Sequence, residues 1–100
     1  MEGKIPVVVT TEHRGVFFGW REPGEVFLHE ADAKAITLEH AQMCVYWSAD
    51  VQGVLGLASH GPSRSCKVTR PVDRLTLTGV TAVMDTAAEA VKLWQDRPWS

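Results

Sequence analysis

Long apolar runs are missing from this chain, and so is any excess of basic charge. No apolar stretch reaches the roughly 18 residues a membrane-spanning helix requires. A secretory signal and a lipidation motif are also lacking, which predicts a soluble protein of the cytoplasm. Ten Lys and Arg against twelve Asp and Glu leave a net charge of −2, the opposite of the balance that grips long nucleic acid. Cysteine is scarce. Cys44 and Cys66 lack CxxC spacing; Cys44 lies in an apolar run and reads as a buried thiol, while Cys66 follows a polar loop. A reducing compartment argues against a disulfide between them.

Catalytic signatures are missing as well. The histidines at 13, 29, 40 and 60 show no HxH or HxxxH spacing and no adjacent Cys, so no metal site is expected. His40 reads as a bulge residue rather than a ligand. Glu30 and Asp32 are close enough for acid/base work, but they sit in a polar segment that reads as solvated loop. GxSxG, SxxK, P-loop and dinucleotide fingerprints do not occur. The expectation is a protein without catalysis and without a cofactor.

What the chain does have is a strong hairpin signal at its start, VVVTTEHRGVFFGW. Val7–Val9 and Val16–Trp20 flank the polar turn Thr11 to Gly15, and such runs around a Gly-containing turn pair antiparallel. His13 and Arg14 then stand on an exposed tip. One hundred residues make a single domain spanning 1–100 with one modest core. Four tryptophans are many for that length. Trp favours rims and interfaces, where its N–H finds a partner, so the domain is expected either to seal its edges with them or to complete its burial against another copy.

Arg21 to Glu25 is a turn signal with consecutive Pro and Gly, followed by the short apolar run Val26–Leu28 and the polar HEADAK segment. From Ala35 to Trp47, Ile36 and Leu38 alternate with Thr37 and Glu39, and then Ala41, Met43, Val45 and Trp47 alternate with Gln42, Cys44 and Tyr46. The phase slips by one residue near His40, which predicts strand, bulge, strand. Val51, Val54, Leu55 and Ala58 fall at helical spacing, with Ser48 or Asp50 as cap and Gly61-Pro62 as stop. Gly53 and Gly56 weaken that helix by about 1 kcal/mol each relative to Ala, while letting a backbone approach closely. Cys66–Thr69, Leu75–Thr78 and Val80–Met84 read as strands, with Pro71 outside any central ladder. Thr86 and Glu89 have capping-box spacing, and Ala87, Ala90, Val91 and Trp94 form the buried stripe of a helix ended by Asp96-Arg97-Pro98. The expected fold is α+β: an antiparallel, hairpin-rich sheet of five to seven short strands, a short central helix and a C-terminal helix.

The best binding candidate is the segment Gly61-Pro62-Ser63-Arg64-Ser65-Cys66-Lys67, followed by Arg70 and Arg74. Hydroxyls, free backbone amides and fixed cations make a phosphate cradle, although Ser and Arg in a loop are ordinarily just solvated. His13 and Arg14 offer a second anion-holding pair. Tyr46 and Trp47 present faces on which a base could stack. Converging, these residues suit a small phosphorylated nucleotide better than a long polymer.

Taken together, TTEHRGVFFGW, ITLEHAQMCVYWS, GVLGLASHGPS, the GVTAV strand and the closing PW resemble a family of small phage and prophage proteins, over nearly the whole chain. The resemblance brings no catalytic residues with it. It implies the cytoplasm of an infected bacterium and an accessory role. The leading expectation is a homo-oligomer that sequesters a small phosphorylated ligand, such as a host nucleotide immune signal. The alternative is a protein–protein module that inhibits a host protein or serves phage assembly, using an apolar patch around Trp20, Trp99 and the hairpin.

Overall fold

Branched and aromatic side chains suit extended backbone, and the two runs that carry them at the start of the chain do pair. The computed structural model describes residues 3–23, 35–96 and 98. Strands β1 (Ile5–Thr11) and β2 (Val16–Arg21) form an antiparallel hairpin closed by a 3-10 turn at Glu12–Arg14. Val8 stands opposite Phe18 and Val9 opposite Phe17. Successive side chains point to opposite faces, so one face of the hairpin carries Val8 and Phe18 and the other Val7, Val9 and Phe17.

Strand β3 (Ile36–Tyr46) adds to the other edge of β2. Its own far edge is shared by β5 (Val72–Leu77) along the first half and by the two-residue β4 (Lys67–Val68) along the second. Strand β6 (Val80–Asp85) pairs with the free edge of β1. Only Thr78 and Gly79 separate β5 from β6, yet Leu77 lies opposite Ile36 on β3 and Val80 opposite Thr11 on β1. The sheet must therefore curl until its two ends meet at that corner, where the Glu12 N–H donates to the Gly79 carbonyl at 2.9 Å. Val7, Val9, Ile36, Leu38, Ala41, Leu77 and Val80 fill the inside of the curl.

Helices α1 (Gly53–Ser59) and α2 (Ala88–Asp96) cover the outer face. The second cluster lies beneath them: Val8, Phe18, Cys44, Leu57, Val68, Ala90 and Trp94. Trp94 is its keystone. Its ring stacks on Phe18 at 5.2 Å between centroids, and its Nε1–H donates to the Leu57 carbonyl at 3.1 Å. Gln42, 1% exposed, sends Nε2–H bonds to the Trp94 and Thr69 carbonyls at 2.9 and 3.0 Å. Six antiparallel strands with a short central and a C-terminal helix make the α+β fold that the patterning predicts.

Several local expectations are corrected. The bulge is at His40, which has φ +50, and the β2–β3 register shifts there. Beyond it, however, Gln42 and Cys44 are the buried residues, whereas Met43 and Val45 are exposed. The phase was read correctly, but the helices cover the opposite face of this half of β3. The central helix is not continuous: a 3-10 turn at Ala49–Val51 ends at Gln52, with φ +65, before α1 begins. That break resets the helical phase, so Leu55 is 69% exposed and Leu57 takes its place in the core. Neither Ser48 nor Asp50 caps α1.

The capping box does not form either. Ala87 accepts the first helical bond, from Val91 at 3.0 Å, while the Thr86 N–H donates to the Pro6 carbonyl and continues the β1–β6 ladder. The Thr86 hydroxyl is buried without a partner, and Ala87 is exposed rather than part of the stripe. Trp20 is half-buried against Phe18 and is not a free apolar patch. Gly24, Glu25, Val26–Leu28, the HEADAK segment with His29, Glu30 and Asp32, and Trp99 lie outside the described residues.

Candidate functional site

The end of β3 and the loop entering β4 bring most of the sequence-selected residues together. Cys44 pairs with Val68 and, after a register shift, Tyr46 stands opposite Lys67. Tyr46 is 51% exposed and Lys67 is exposed beside it. Trp47 follows as β3 ends; it is half-buried against the core under the helices and shows only part of its ring.

The 63–66 turn is built by its first serine. The Cys66 N–H donates to the Ser63 carbonyl at 3.1 Å and the Ser65 N–H to Ser63 Oγ at 3.3 Å. Arg64 and Ser65 form the exposed crest of that turn. These bonds correct one part of the expected cradle: the amides of Ser65 and Cys66 are already satisfied within the turn and do not await an anion.

Ser63 also faces inward. Its Oγ lies 3.4 Å from Ser48 Oγ, and Ser48 Oγ donates to the Asp50 carboxylate. Hydrogen bonds from Ser48 and then Ser63 hold the Asp50 carboxyl below the usual carboxylate range. A carboxylate that stays ionised repels phosphate, so the anion-attracting part of the corner is Arg64 and Lys67 and excludes Asp50, which is exposed like them. Asp50 and Ser48 belong to this site, although their spacing reads as helix capping. The cue available in sequence was the Ser48-x-Asp50 pair itself, since a Ser hydroxyl reaches a carboxylate two residues on as readily as a backbone amide.

The hairpin tip stands apart. Phe17 opposite Met43 sends Gly15 and Val45 to the same end of the sheet, so the tip shares that end with the Tyr46 corner. Arg14, with φ +66, is exposed there. Among the described residues no hydrogen bond or ion pair joins Arg14 to the 63–67 loop, and the side chain of His13 lies outside them. Arg70 and Arg74 are exposed further along; Arg74 stands opposite Glu39 on β3 and adds to the charges that lower the Glu39 carboxyl, after Lys4.

The two thiols lie behind this corner. Both are buried and both are free. Burial first, and then the neighbouring Cys66, push the Cys44 thiol up to about 12. A thiol so disfavoured as thiolate is a packing group, not a nucleophile. Among the described residues no group of three His, Cys, Asp or Glu side chains is arranged to hold a metal ion. No helix among the described residues is long and apolar enough to cross a membrane.

Neither a solved structure nor a curated protein matches the chain. A family model does match, from residue 4 to residue 94, and so covers both sheet clusters, helix α1, helix α2 as far as Trp94 and the whole Tyr46–Lys67 corner. The chain therefore belongs to the DUF6948 family, a domain of unknown function.

Proposed function

We propose that the protein acts by binding, and that the Tyr46–Lys67 corner takes a small phosphorylated ligand of nucleotide type. One observation carries the reading: Tyr46 and Lys67, both exposed residues, stand opposite each other across the β3–β4 ladder, with Arg64 on the adjoining turn. Tyr46 offers a surface for base stacking. Arg64 and Lys67 offer charge-assisted bonds to phosphate, and Ser65 a hydroxyl beside them. Trp47 extends the aromatic surface, while Asp50, kept ionised, accepts a sugar hydroxyl rather than phosphate. Arg14 is an outer steering charge in this reading. The finer context comes from the resemblance to phage and prophage proteins: an accessory protein in the bacterial cytoplasm that withholds a host nucleotide signal.

Isothermal titration against a panel of cyclic nucleotides and ADP-ribose derivatives tests it. Saturable binding that Arg64→Ala, Lys67→Ala and Tyr46→Ala each weaken supports the proposal; no heat and no thermal shift with any member sinks it. A second reading, a protein–protein module, draws on Met43, Val45 and Val72, which are 37%, 49% and 51% exposed on one face of β3 and β5. It predicts that Val45→Asp abolishes activity in cells while Arg64→Ala and Lys67→Ala leave it intact.

A further inference from the structure

Strand β6 ends the sheet, pairing with β1 on one side and with no strand on the other among the described residues. Thr81 is the extra residue of a bulge, because Thr10 stands opposite Ala82 and Thr11 opposite Val80. Bulges turn an edge away from further pairing, so the usable edge is the segment from Ala82 to Thr86. Its only charge is Asp85. Exposed edge strands ordinarily carry Lys, Pro or an inward charge that blocks self-association; this segment carries none before Asp85.

Beside the edge runs an open groove of about 430 Å³, lined by Leu55, Ala58 and Ser59 of α1 and by Met84 to Ala87. Leu55 is 69% exposed there, the largest fraction among the exposed large apolar side chains. Met84 is opposite Val8, and Ala82 is opposite Thr10, so both project to the helix-covered face that floors the groove. An occupant therefore has to satisfy two demands at once: a row of backbone donors and acceptors, and an apolar surface on one face of the added strand.

We infer that the occupant is a second copy of this chain, added antiparallel along β6 about a two-fold axis through Met84, the middle of the 82–86 segment. Residues directly opposite in an antiparallel pair share a face, so the mate's Ala82 and Met84 continue the groove floor. The mate's Leu55 approaches across the axis and covers the side that each groove leaves open. Each Asp85 then stands opposite an uncharged residue of the other copy, so the one charge of the segment does not repel its mate. A shared edge of five residues and one groove per copy covers less than the roughly 800 Å² per partner of a standard interface. The dimer is correspondingly weak, forming in the micromolar range and passing with dilution to monomer.

Sedimentation velocity of the full chain from low micromolar to millimolar concentration tests this, with hydrogen exchange of the Val83 and Asp85 amides, which point away from β1, as a second readout. The expected result is a monomer–dimer equilibrium with protection in β6 that rises with concentration. Leu55→Asp and Ala82→Lys, both at exposed positions, each raise the dissociation constant at least about tenfold with unchanged melting of the monomer. A monomer throughout overturns the inference. So does a dimer that both variants leave intact, a dimer that Val45→Asp dissociates, or capture of an extended foreign peptide by a β6 edge that never self-associates.

Discussion

Gln42 is the residue whose replacement best tests the account of the core. It is 1% exposed, and its amide nitrogen bonds the carbonyls of Trp94 and Thr69. Helix α2 ends at Asp96, so the Trp94 carbonyl is one of the four that a helix C-terminus leaves unpaired; Gln42 caps it from the sheet. Gln42→Leu keeps the volume and strands both carbonyls, at about 2 kcal/mol each. It also removes the Gln42 Oε1, itself buried without a partner, which returns about 2 kcal/mol. The net loss is about 2 kcal/mol, or roughly 10 °C in melting temperature for a domain of this size. Gln42→Glu has a different signature. A buried carboxylate facing two carbonyl oxygens is disfavoured as the ion, so its folded pKa lies above its unfolded value. The penalty is small below the unfolded value of about 4.3, where the protonated acid donates to one carbonyl, and grows as pH rises through the folded pKa. Urea unfolding of the three proteins at pH values on either side of that range reads both effects, with unchanged m-values. A Gln42→Leu protein as stable as the parent would refute the capping role, because the orphaned oxygen would then outweigh the two bonds.

Two further outcomes follow from the same packing. A Cβ at Gly56 would lie 1.4 Å from the Val51 carbonyl oxygen, whereas at Gly53, with φ +74, it meets open space; thermal melts are expected to show Gly56→Ala losing more than about 3 kcal/mol and Gly53→Ala only about 1 kcal/mol of backbone strain. Cys44 should resist an aromatic disulfide reagent in the folded protein at pH 8 and react fully in denaturant, read in a Cys66→Ser background; fast native labelling of Cys44 would contradict a thiol held near 12 by burial.

The strands and helices were legible because each carries its own period. The hairpin, the slip at His40 and the Thr86–Glu89 turn into α2 all show in the residue pattern, although the last works through backbone pairing rather than the Thr86 hydroxyl. Which face of β3 would be buried was not legible. Met43 and Val45 are apolar, Gln42 and Cys44 are less so, and periodicity alone chooses the former. What decides is the position of α2, whose unpaired carbonyl needs a buried donor, and Gln42 can supply one where Met43 cannot. The curl of the sheet was hidden for a similar reason. Nothing local to Thr78-Gly79 reveals that β5 and β6 serve opposite ends of the sheet.

The candidate site divides along the same line between local and non-local information. Arg64, Ser65 and Lys67 are candidates because cations and hydroxyls in a short loop are visible in any sequence, and Tyr46 because an aromatic offers a stacking face; that β3 and β4 bring them together is not legible there. Asp50 was missed as a site residue because its role depends on Ser63, which comes from the far side of α1. In the proposed reading Arg64 and Lys67 take the phosphate and the ionised Asp50 takes a hydroxyl, so a sugar phosphate is expected to bind in preference to inorganic phosphate. Asp50→Asn is then expected to shrink that preference while leaving the fold in place, which calorimetric titration with both ligands reads. An unchanged preference would take Asp50 out of the proposed site.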